Sequence, residues 1–371
     1  MTESISYSRR IINFEKGKKI SLFSPAKLNL TLDILDRQKD GYHLLNSIIS
    51  VIDLKDIVTI EKTENLGEIT VITELMPELE SHVTEIAKLD PTVLEVNSNL
   101  SSNKNFAYKA VSSVLERFFP QKNFGLKINI KKIIPFSAGL GGGSSNAATT
   151  LLGLVSLLGL NCSDLELIEL AKDLGSDVPA LLYDVPVYLC GKGEKIYPLK
   201  YSSNGSAQFL ILKPLFGVET KLAYQSLNRE IKDQIFRDDI HGILSESSLN
   251  TLKKFGFSLE NISVSQEYPD NMLTLLQESG ISSIPNGSSF ETDYFNFSNN
   301  FQNYLDKFSP DIRRIENELG NFDVAKVLLA GSGSSLAIFP KSQDDLERLE
   351  QEIGKKFKSY FLKRVRFGLS Q

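Results

Sequence analysis

The stretch Pro135–Ala148, PFSAGLGGGSSNAA, joins a predicted strand to a predicted helix. Before it, over Phe124–Lys131, apolar and polar residues alternate as in a half-buried strand. After the glycines, over Ser144–Leu160, small and apolar residues follow one another as in a buried helix. Glycines let successive backbone N–H groups turn towards one point, and the helix adds its unpaired N–H groups and the positive end of its dipole. This order of strand, glycine loop and helix predicts a binding site for a polyphosphate.

Neither of the two common phosphate-loop patterns fits this stretch. A Walker A loop needs a lysine after its last glycine, where this chain has Ser144. The pattern Gly-x-Gly-x-x-Gly, started at Gly139, would need a glycine at the same place. A glycine-rich hairpin or helix cap is the structural alternative. Three consecutive glycines are costly for a turn without function, so phosphate binding is the favoured interpretation.

The stretch resembles the second signature of the GHMP kinases, the superfamily that includes galactokinase, homoserine kinase and mevalonate kinase. Its wording, GLGGGSSNAA, is most similar to the 4-diphosphocytidyl-2-C-methyl-D-erythritol kinase family. The resemblance implies that the loop cradles the phosphates of ATP. The loop residues that it assigns to ATP are Pro135, Phe136, Ser137, Ala138, Gly139, Leu140, Gly141, Gly142, Gly143, Ser144 and Ser145.

The composition is that of an ordinary globular protein. The 371 residues are 41% hydrophobic and 23% charged, which suffices for two domains with a sizeable core. The net charge of −5 disfavours nonspecific binding of nucleic acid, and the two cysteines imply no disulfide framework. The N-terminus lacks the apolar run of a signal peptide, and Ala147–Leu160 is too short to span a bilayer. We therefore expect a cytoplasmic protein without a nucleic-acid or membrane partner. We also expect a monomer or weak homodimer, although composition does not determine the oligomeric state.

A second block of the chain, Ser24–Leu35, reads SPAKLNLTLDIL. Ser24-Pro25-Ala26 is expected to interrupt a strand, and a new strand over Lys27–Leu35 places Lys27 and Asn29 on one face. The residue pattern alone favours an ordinary polar edge facing solvent. The block resembles the first signature of the kinase family, which implies that Lys27 is catalytic and that Asn29 contacts the substrate.

Tyr42 and His43 follow a turn, in the string DGYH. By themselves they are more typical of packing at a strand end. In the family that the chain resembles, the same string contacts the cytidine of the substrate, so both residues are expected to bind substrate.

Two residues outside the glycine loop are also expected near the nucleotide. Asn105 precedes the predicted helix Asn105–Phe118, where capping is the structural alternative, and the matching asparagine of the family lies by the adenine. Lys132 stands just before the glycine loop. The polar and poorly periodic stretch Glu74–Asn103 is interpreted as an exposed insertion, and the residues up to Lys19 as a polar extension.

Asp177 lies in the string GSDVP, after a helix that Ser163 and Glu166 begin with a capping box. It could cap the short helix that begins near Pro179. The string resembles GADVP of the family, whose aspartate is catalytic, so the resemblance makes Asp177 the second catalytic residue.

The second half of the chain is expected to form its own domain. We predict an N-terminal ATP-binding domain over residues 1–203 and a C-terminal domain over residues 204–371, with a linker at Tyr201–Ser206 and an insertion at Glu230–Phe295. The strand and helix order of the second half suggests a ferredoxin-like unit. Further substrate-binding residues are expected here. They are Tyr224, on a predicted helix, and Gly331 and Gly333, in the stretch LLAGSGSSLAIF, which resembles the third signature of the family.

The resemblance implies an α+β fold with two domains, the first like ribosomal protein S5 and the second ferredoxin-like. It also implies transfer of the γ-phosphoryl group of ATP, with magnesium (Mg2+), to the 2-hydroxyl of 4-diphosphocytidyl-2-C-methyl-D-erythritol. Ser144 or Ser145 could contact the metal. Two alternatives remain at this point. The chain could phosphorylate a different alcohol, or it could be an inactive relative that binds ligand and regulates transcription.

Overall fold

The computed structural model describes residues 5–37, 39, 43–91, 103–121, 124–198, 208–227 and 297–369. Its strands β1 to β12 are, in chain order, Ile11–Glu15, Lys19–Arg37, His43–Thr63, Ile69–Leu75, Gly125–Lys132, Val187–Cys190, Lys195–Pro198, Gln208–Lys213, Ser298–Asn299, Val324–Leu329, Leu336–Pro340 and Phe361–Arg366. Its helices α1 to α8 are Pro77–Leu89, Phe106–Phe118, Gly142–Leu158, Asp164–Leu174, Thr220–Ser226, Leu305–Phe308, Pro310–Leu319 and Leu346–Lys356. Short 3-10 helices lie at Ser8–Arg10, Ala180–Leu182, Asn300–Tyr304 and Gln343–Asp345.

The first sheet has the strand order β1-β2-β3-β5-β4. The long strands β2 and β3 pair antiparallel along most of their length, and β4 runs parallel to β5. Strand β6 pairs antiparallel with β3 between Ser47 and Ile49. Strand β9, from the second half of the chain, pairs in parallel with β2 at Thr31 and Leu32. The second half of the chain therefore contributes a strand to the first sheet.

The second sheet has the strand order β10-β11-β8-β12, with antiparallel pairing throughout. In chain order its elements are a strand, helices, two strands, a helix and a strand, which is the ferredoxin-like arrangement. This part of the predicted fold is confirmed.

Three hydrophobic cores hold four layers together. One core lies between the first sheet and helices α2, α3 and α4, and another lies between the second sheet and its helices. The core between the two sheets contains Leu28, Ile52 and Leu54 from the first and Phe209 and Phe339 from the second. The central strands of both sheets are thus covered on both faces. This explains why Lys27 and Asn29 are each only 4% exposed, although the residue pattern alone favoured a solvent-facing edge for them.

The predicted interruption at Ser24-Pro25-Ala26 is wrong, because β2 runs through it. The proline instead marks an irregularity in the pairing: Pro25 lies opposite Lys55, but Lys27 lies opposite Val51. Proline has no N–H group to donate to the ladder. Just after it, the Lys27 N–H donates to the Leu140 carbonyl at 2.9 Å. The irregularity thereby fastens the strand to the glycine loop.

The described residues before Lys19 are more than the polar extension that was predicted. Strand β1 pairs with β2, and the guanidinium of Arg10 is fully buried. That guanidinium forms an ion pair with Asp184 and donates to the Tyr183 carbonyl at 3.1 Å. Both partners lie far along the chain, so local composition could not indicate them.

The stretch Glu74–Asn103 is likewise not simply an exposed insertion. Its first part completes β4 and forms helix α1, in which Leu79, His82 and Val83 are buried. Lys363 of β12 donates to Glu78 at 3.0 Å, so this helix connects the first half of the chain to the second sheet. Residues 92–102 lie outside the described residues.

Among the residues that the structure describes, each helix falls short of the length and apolarity needed to cross a membrane. The predicted linker Tyr201–Ser206 and the predicted insertion Glu230–Phe295 lie outside the described residues.

Candidate active site

A cavity of about 1460 Å³ lies among the glycine loop, strands β2 and β3, helix α5 and the loop after β10. Pockets that hold one drug-sized ligand are usually about 300–1,000 Å³, so there is room here for two substrates. The predicted site residues that line it are Lys27, Asn29, His43, Asn105, Lys132, Pro135, Phe136, Ser137, Ala138, Gly139, Leu140, Gly141, Gly142, Gly143, Ser144, Asp177, Tyr224 and Gly331.

The glycine loop contains three residues with left-handed φ, Ser137 (φ +47°), Gly139 (φ +73°) and Gly141 (φ +67°). A side chain at Gly141 would lie 2.8 Å from Cγ of Lys27. Helix α3 begins at Gly142, two residues earlier than predicted, so part of the glycine run is helical. Its first intrahelical bond is donated by the Ser145 N–H to the Gly141 carbonyl at 2.8 Å. The N–H groups of residues 142–144 precede that bond and point out of the helix start, as an anion site requires.

The structure corrects the predicted role of Ser145. Because the helix starts early, Ser145 lies within its first turn and its side chain is fully buried. The hydroxyl lies 2.9 Å from Ser24 Oγ and does not line the cavity. Neither its N–H nor its hydroxyl is available to a phosphate. Ser144, which lines the cavity, is the serine placed to contact a phosphate or a metal.

The glycine loop packs directly against the second glycine loop, which follows β10. The Ser335 N–H donates to the Ala138 carbonyl at 3.2 Å, and a Cβ on Gly331 would lie 3.0 Å from the Gly139 carbonyl and 3.3 Å from Lys27 Nζ. Gly331 therefore forms part of the cavity wall, and its contact with the substrate stays a prediction. Gly333 (φ +96°) does not line the cavity, since it packs against Ile312 and Leu329.

A chain of hydrogen bonds fixes the ammonium group of Lys27 on the cavity wall. Lys27 Nζ donates to Asn29 Oδ1 at 2.6 Å, Asn29 Nδ2 donates to Ser47 Oγ at 2.8 Å, and Ser47 Oγ donates to the Thr31 carbonyl at 2.7 Å. Asp177 is a further partner of the Lys27 ammonium, and its Oδ2 lies 3.6 Å from Lys27 Nζ. Lys27 and Asn29 do share one face, as predicted, and that face is inside the protein.

Asp177 does not cap the short helix that follows it. The 3-10 helix Ala180–Leu182 has Pro179 at its cap position and no side-chain capping bond. The Asp177 side chain is instead 37% exposed and lines the cavity beside Lys27. An aspartate held near a buried ammonium and open to a cavity is suited to orient a hydroxyl group or accept its proton.

Asn105 and Lys132 lie at the end of the cavity beside the glycine loop. The Asn105 side chain accepts a hydrogen bond from the Ala107 N–H at 2.8 Å, so it caps α2 as well as lining the cavity. Lys132 Nζ forms a buried ion pair with Asp56 Oδ2 at 2.5 Å and lies 5.6 Å from the ring centroid of Phe136. The side chain of Phe106 lies against the glycine loop, 3.3 Å from a Cβ built on Gly143.

Asp56 is a site residue that the sequence analysis missed. Its carboxylate is fully buried and accepts bonds from the N–H groups of Ile133 and Ile134 at 2.7 and 2.8 Å. A signal for it was present in the sequence. Residues 52, 54, 58 and 60 of β3 are all apolar and buried, so an aspartate at 56 stands in an apolar alternation. Buried carboxylates need partners, which makes such a position informative.

His43 and Tyr224 meet at another part of the cavity wall, with ring centroids 5.2 Å apart. Tyr224 also packs edge-on against Phe301 at 4.9 Å. Burial, followed by the nearby charge of Asp177, raises the pKa of Tyr224 to about 12, so its hydroxyl stays protonated at neutral pH. Helix α5 is tied to the second glycine loop by the hydroxyls of Thr220 and Ser332, 3.0 Å apart. Tyr42 lies outside the described residues.

Comparison with known proteins identifies the family of this chain. The GHMP kinases N terminal domain matches residues 105–191, and the GHMP kinases C terminal domain matches residues 286–359. A 4-diphosphocytidyl-2-C-methyl-D-erythritol kinase of Caldicellulosiruptor saccharolyticus is 39% identical over 246 residues, which cover 66% of this chain and 76% of the relative. The chain belongs to the 4-diphosphocytidyl-2-C-methyl-D-erythritol kinase family of the GHMP kinases. The corresponding kinase of Carboxydothermus hydrogenoformans is 33% identical to this GHMP kinase, over 85% of this chain and 86% of the relative.

Solved structures support the fold of this GHMP kinase. The crystal structure of a 4-(cytidine 5'-diphospho)-2C-methyl-D-erythritol kinase superposes with a TM-score of 0.61 at 22% identity, covering 94% of this chain and 100% of that one. The L. major mevalonate kinase, in complex with R-mevalonate, gives a TM-score of 0.57 at 13% identity, covering 100% and 99%. The predicted family and fold class are thus confirmed.

Proposed function

We propose that this kinase transfers the γ-phosphoryl group of ATP to the 2-hydroxyl of 4-diphosphocytidyl-2-C-methyl-D-erythritol, giving the 2-phosphate and ADP. The observation that carries the proposal is the placement of the Lys27–Asp177 pair in one cavity with both the glycine loop and the His43–Tyr224 pair. The relatives that bear the name of this enzyme supply the identity of the substrate.

The triphosphate of ATP binds at the start of helix α3 in this proposal. The N–H groups of residues 142–144 and the positive end of the helix dipole favour an anion there. The ammonium of Lys132, close behind Gly142, adds a fixed positive charge. Asn105 and Phe106 lie beside this loop, and we propose that the adenine binds next to them.

The acceptor hydroxyl lies between the phosphates and Asp177. Asp177 orients it and takes its proton as the new P–O bond forms, while Lys27 stabilises the charge on the transferred phosphoryl oxygens. Phosphoryl transfer asks mainly for positioning and charge stabilisation. The hydrogen-bonded series from Lys27 to Thr31 meets the first need, because it holds the ammonium before substrate arrives.

Magnesium fits this site as a companion of ATP. Within the described residues, no group of three or more His, Cys, Asp or Glu side chains is placed to hold a metal ion. Mg²⁺ is commonly held by substrate phosphates with only one or two protein ligands. The Ser144 hydroxyl is the proposed protein contact, and the ion would neutralise charge on the phosphate oxygens.

The cytidine end of the substrate lies by His43 and Tyr224 in this proposal. Tyr224 offers a ring face for the base, and a ring nitrogen of His43 reads the edge of the base. We also propose that Tyr42, the neighbour of His43 in the sequence, is the second aromatic side chain that contacts the base. An aromatic base held between aromatic side chains is a recurring solution in nucleotide recognition.

We propose that the enzyme is a monomer or a weak homodimer. We further propose a cytoplasmic enzyme with a domain boundary near residue 203 and with the segment 230–295 outside the chemistry.

A coupled assay of ADP release tests the proposal. The wild-type enzyme with Mg²⁺ and ATP is offered the cytidylated substrate, and separately mevalonate, homoserine and galactose. We expect rapid ADP release with the cytidylated substrate alone and recovery of the 2-phosphate. Release with a different alcohol would show another small-molecule kinase. Absence of release with all four alcohols, together with retained binding of the cytidylated compound, would favour a ligand-binding regulator.

A further inference from the structure

Asp56 lies at a point where strand β3 passes from one core to another. Val58 and Ile60 pack beneath the helices of the first layer, while Ile52 and Leu54 pack between the two sheets. Asp56 stands between these two pairs and has no exposed surface. A buried carboxylate is costly unless charged and hydrogen-bonded partners compensate it, so its partners determine what it does.

The first partners of Asp56 are backbone groups that lead into the glycine loop. Strand β5 ends at Lys132, and the next two N–H groups, of Ile133 and Ile134, both donate to Asp56 Oδ1 at 2.7 and 2.8 Å. One carboxylate oxygen of Asp56 thus accepts the backbone hydrogen bonds of the two residues that follow the end of strand β5. It sets the direction in which the chain enters the loop.

The other partner of Asp56 is the ammonium of Lys132. Lys132 Nζ lies 2.5 Å from Asp56 Oδ2, and the Lys132 side chain is only 6% exposed. The same ammonium lies 2.9 Å from the position of a Cβ on Gly142, the first residue of α3. A lysine side chain has several rotatable bonds, and the ion pair restricts it to this position beneath the helix start.

We propose that Asp56 is a positioning residue for the nucleotide and acts through Lys132. Asp56 does not line the cavity itself, whereas Lys132 does. The inference rests on the proposed binding of ATP at the glycine loop and adds what holds the cation there. Loss of the Asp56 charge frees the Lys132 ammonium to leave the helix start, and this weakens the binding of ATP. The cytidylated substrate keeps its affinity, since His43 and Tyr224 belong to another part of the wall.

The variant Asp56→Asn tests this inference. Asparagine keeps an oxygen that can accept from Ile133 and Ile134, but it removes the charge opposite Lys132. We expect the Kd for ATP, measured by titration calorimetry, to rise about tenfold, equivalent to ~1.4 kcal/mol. The KM for the cytidylated substrate is expected to stay at the wild-type value. The matched control is Asp53→Asn on the same strand, whose carboxylate is held by Arg366 at 2.8 and 2.9 Å and lies away from the loop.

A double-mutant cycle with Lys132→Met separates positioning from mere stability. If Asp56 acts through Lys132, the Kd for ATP of the double variant equals that of Lys132→Met. This comparison also serves if Asp56→Asn alone does not fold, because the double variant leaves no unpaired buried ammonium. Additive losses, equal weakening of both substrates, or an unchanged Kd for ATP in Asp56→Asn would each overturn the inference. The binding arm does not depend on turnover, so a wild type that binds ATP but fails to phosphorylate the cytidylated alcohol refutes the proposed substrate alone.

Discussion

Gly139 of the first glycine loop packs onto the carbonyl group of Ala330 in the second. A Cβ on Gly139 would overlap the Ala330 oxygen and would lie 3.0 Å from the Gly333 oxygen. The two loops come from the two halves of the chain, and Lys27 lies beside both. The absence of a side chain at residue 139 is therefore what lets two separate glycine loops enclose one cavity.

The substitution Gly139→Ala is expected to separate these loops. The added methyl group meets backbone atoms, which cannot move aside cheaply, and the left-handed φ of +73° adds strain. We expect a lower melting temperature and a large loss of kcat/KM for both substrates. The matched control is Gly159→Ala, at φ +62°, which has the same kind of strain but open space around the Cβ position. Equal effects of the two substitutions on kcat/KM would contradict the close packing of the loops.

Lys27→Met tests the ammonium group at the centre of the site. Methionine retains an unbranched apolar stem but loses the charge that Asn29 and Asp177 hold in place. Removing one such charge-stabilising group typically lowers kcat about 10²–10³-fold, and we expect a loss in that range. Lys19→Met, on the same strand but at an exposed ion pair with Glu61, should leave kcat unchanged. A Lys27→Met enzyme with near wild-type kcat would exclude the proposed stabilisation of phosphoryl charge.

Much of this site was predictable because its signals are local. The capping box of Ser163 and Glu166 and the cap at Asn105 each lie within a few residues of the helix that they begin, and both are confirmed. The glycine loop and the ferredoxin-like order of the second half also follow from short stretches of sequence. The role of Ser145 was assigned wrongly because helix α3 begins two residues earlier than predicted, which places the Ser145 side chain inside the protein.

The features that sequence analysis missed depend on partners far apart in the chain. From the sequence alone Arg10 belongs to a polar stretch, because its partner Asp184 lies 174 residues later in the chain. Asp56 looks like an ordinary charged residue in the sequence, because its partner Lys132 belongs to another strand. Helix α1 was overlooked although Pro77 stands at its first position and Leu79 and Val83 repeat at helical spacing. Its contact with β12, near the other end of the chain, includes the rings of His82 and Phe361, whose centroids lie 6.0 Å apart.

Tyr224→Ala is expected to weaken the cytidylated substrate and spare ATP. Loss of an aromatic stacking partner costs about 1–3 kcal/mol per base, which corresponds to a 5- to 150-fold rise in KM. Tyr224→Phe keeps the ring that packs on His43 and Phe301 and should retain most of the affinity. Tyr42→Ala is expected to act like Tyr224→Ala. A wild-type KM in both alanine variants would remove the aromatic slot, and equal losses for ATP would indicate misfolding.

His82→Phe is expected to reduce the sensitivity of the fold to acid. Burial, followed by the positive charge of Lys213, lowers the pKa of His82 from 6.5 to about 4. Between these values the unfolded chain binds a proton that the folded protein does not, so stability falls as pH drops through this window and levels off below it. From pH 7 to pH 5, the free energy of unfolding of the wild type falls by about 2 kcal/mol because of His82. The free energy of unfolding of the variant should fall by that much less over the same range. Urea unfolding at both pH values measures it, and identical pH dependence of the two proteins would contradict the buried neutral ring.

The catalytic role of Asp177 is tested most directly by comparing turnover and ATP affinity in Asp177→Asn. Asparagine keeps the shape of the side chain but cannot accept the hydroxyl proton. Turnover of the cytidylated substrate should fall about 10²–10⁴-fold, the usual contribution of general-base catalysis, while the Kd for ATP stays near that of the wild type. Asp173→Asn, at an exposed aspartate of helix α4, serves as the matched control and should leave both values unchanged. An Asp177→Asn enzyme that turns over within a few-fold of the wild type would show that the Lys27–Asp177 pair is not the centre of the reaction.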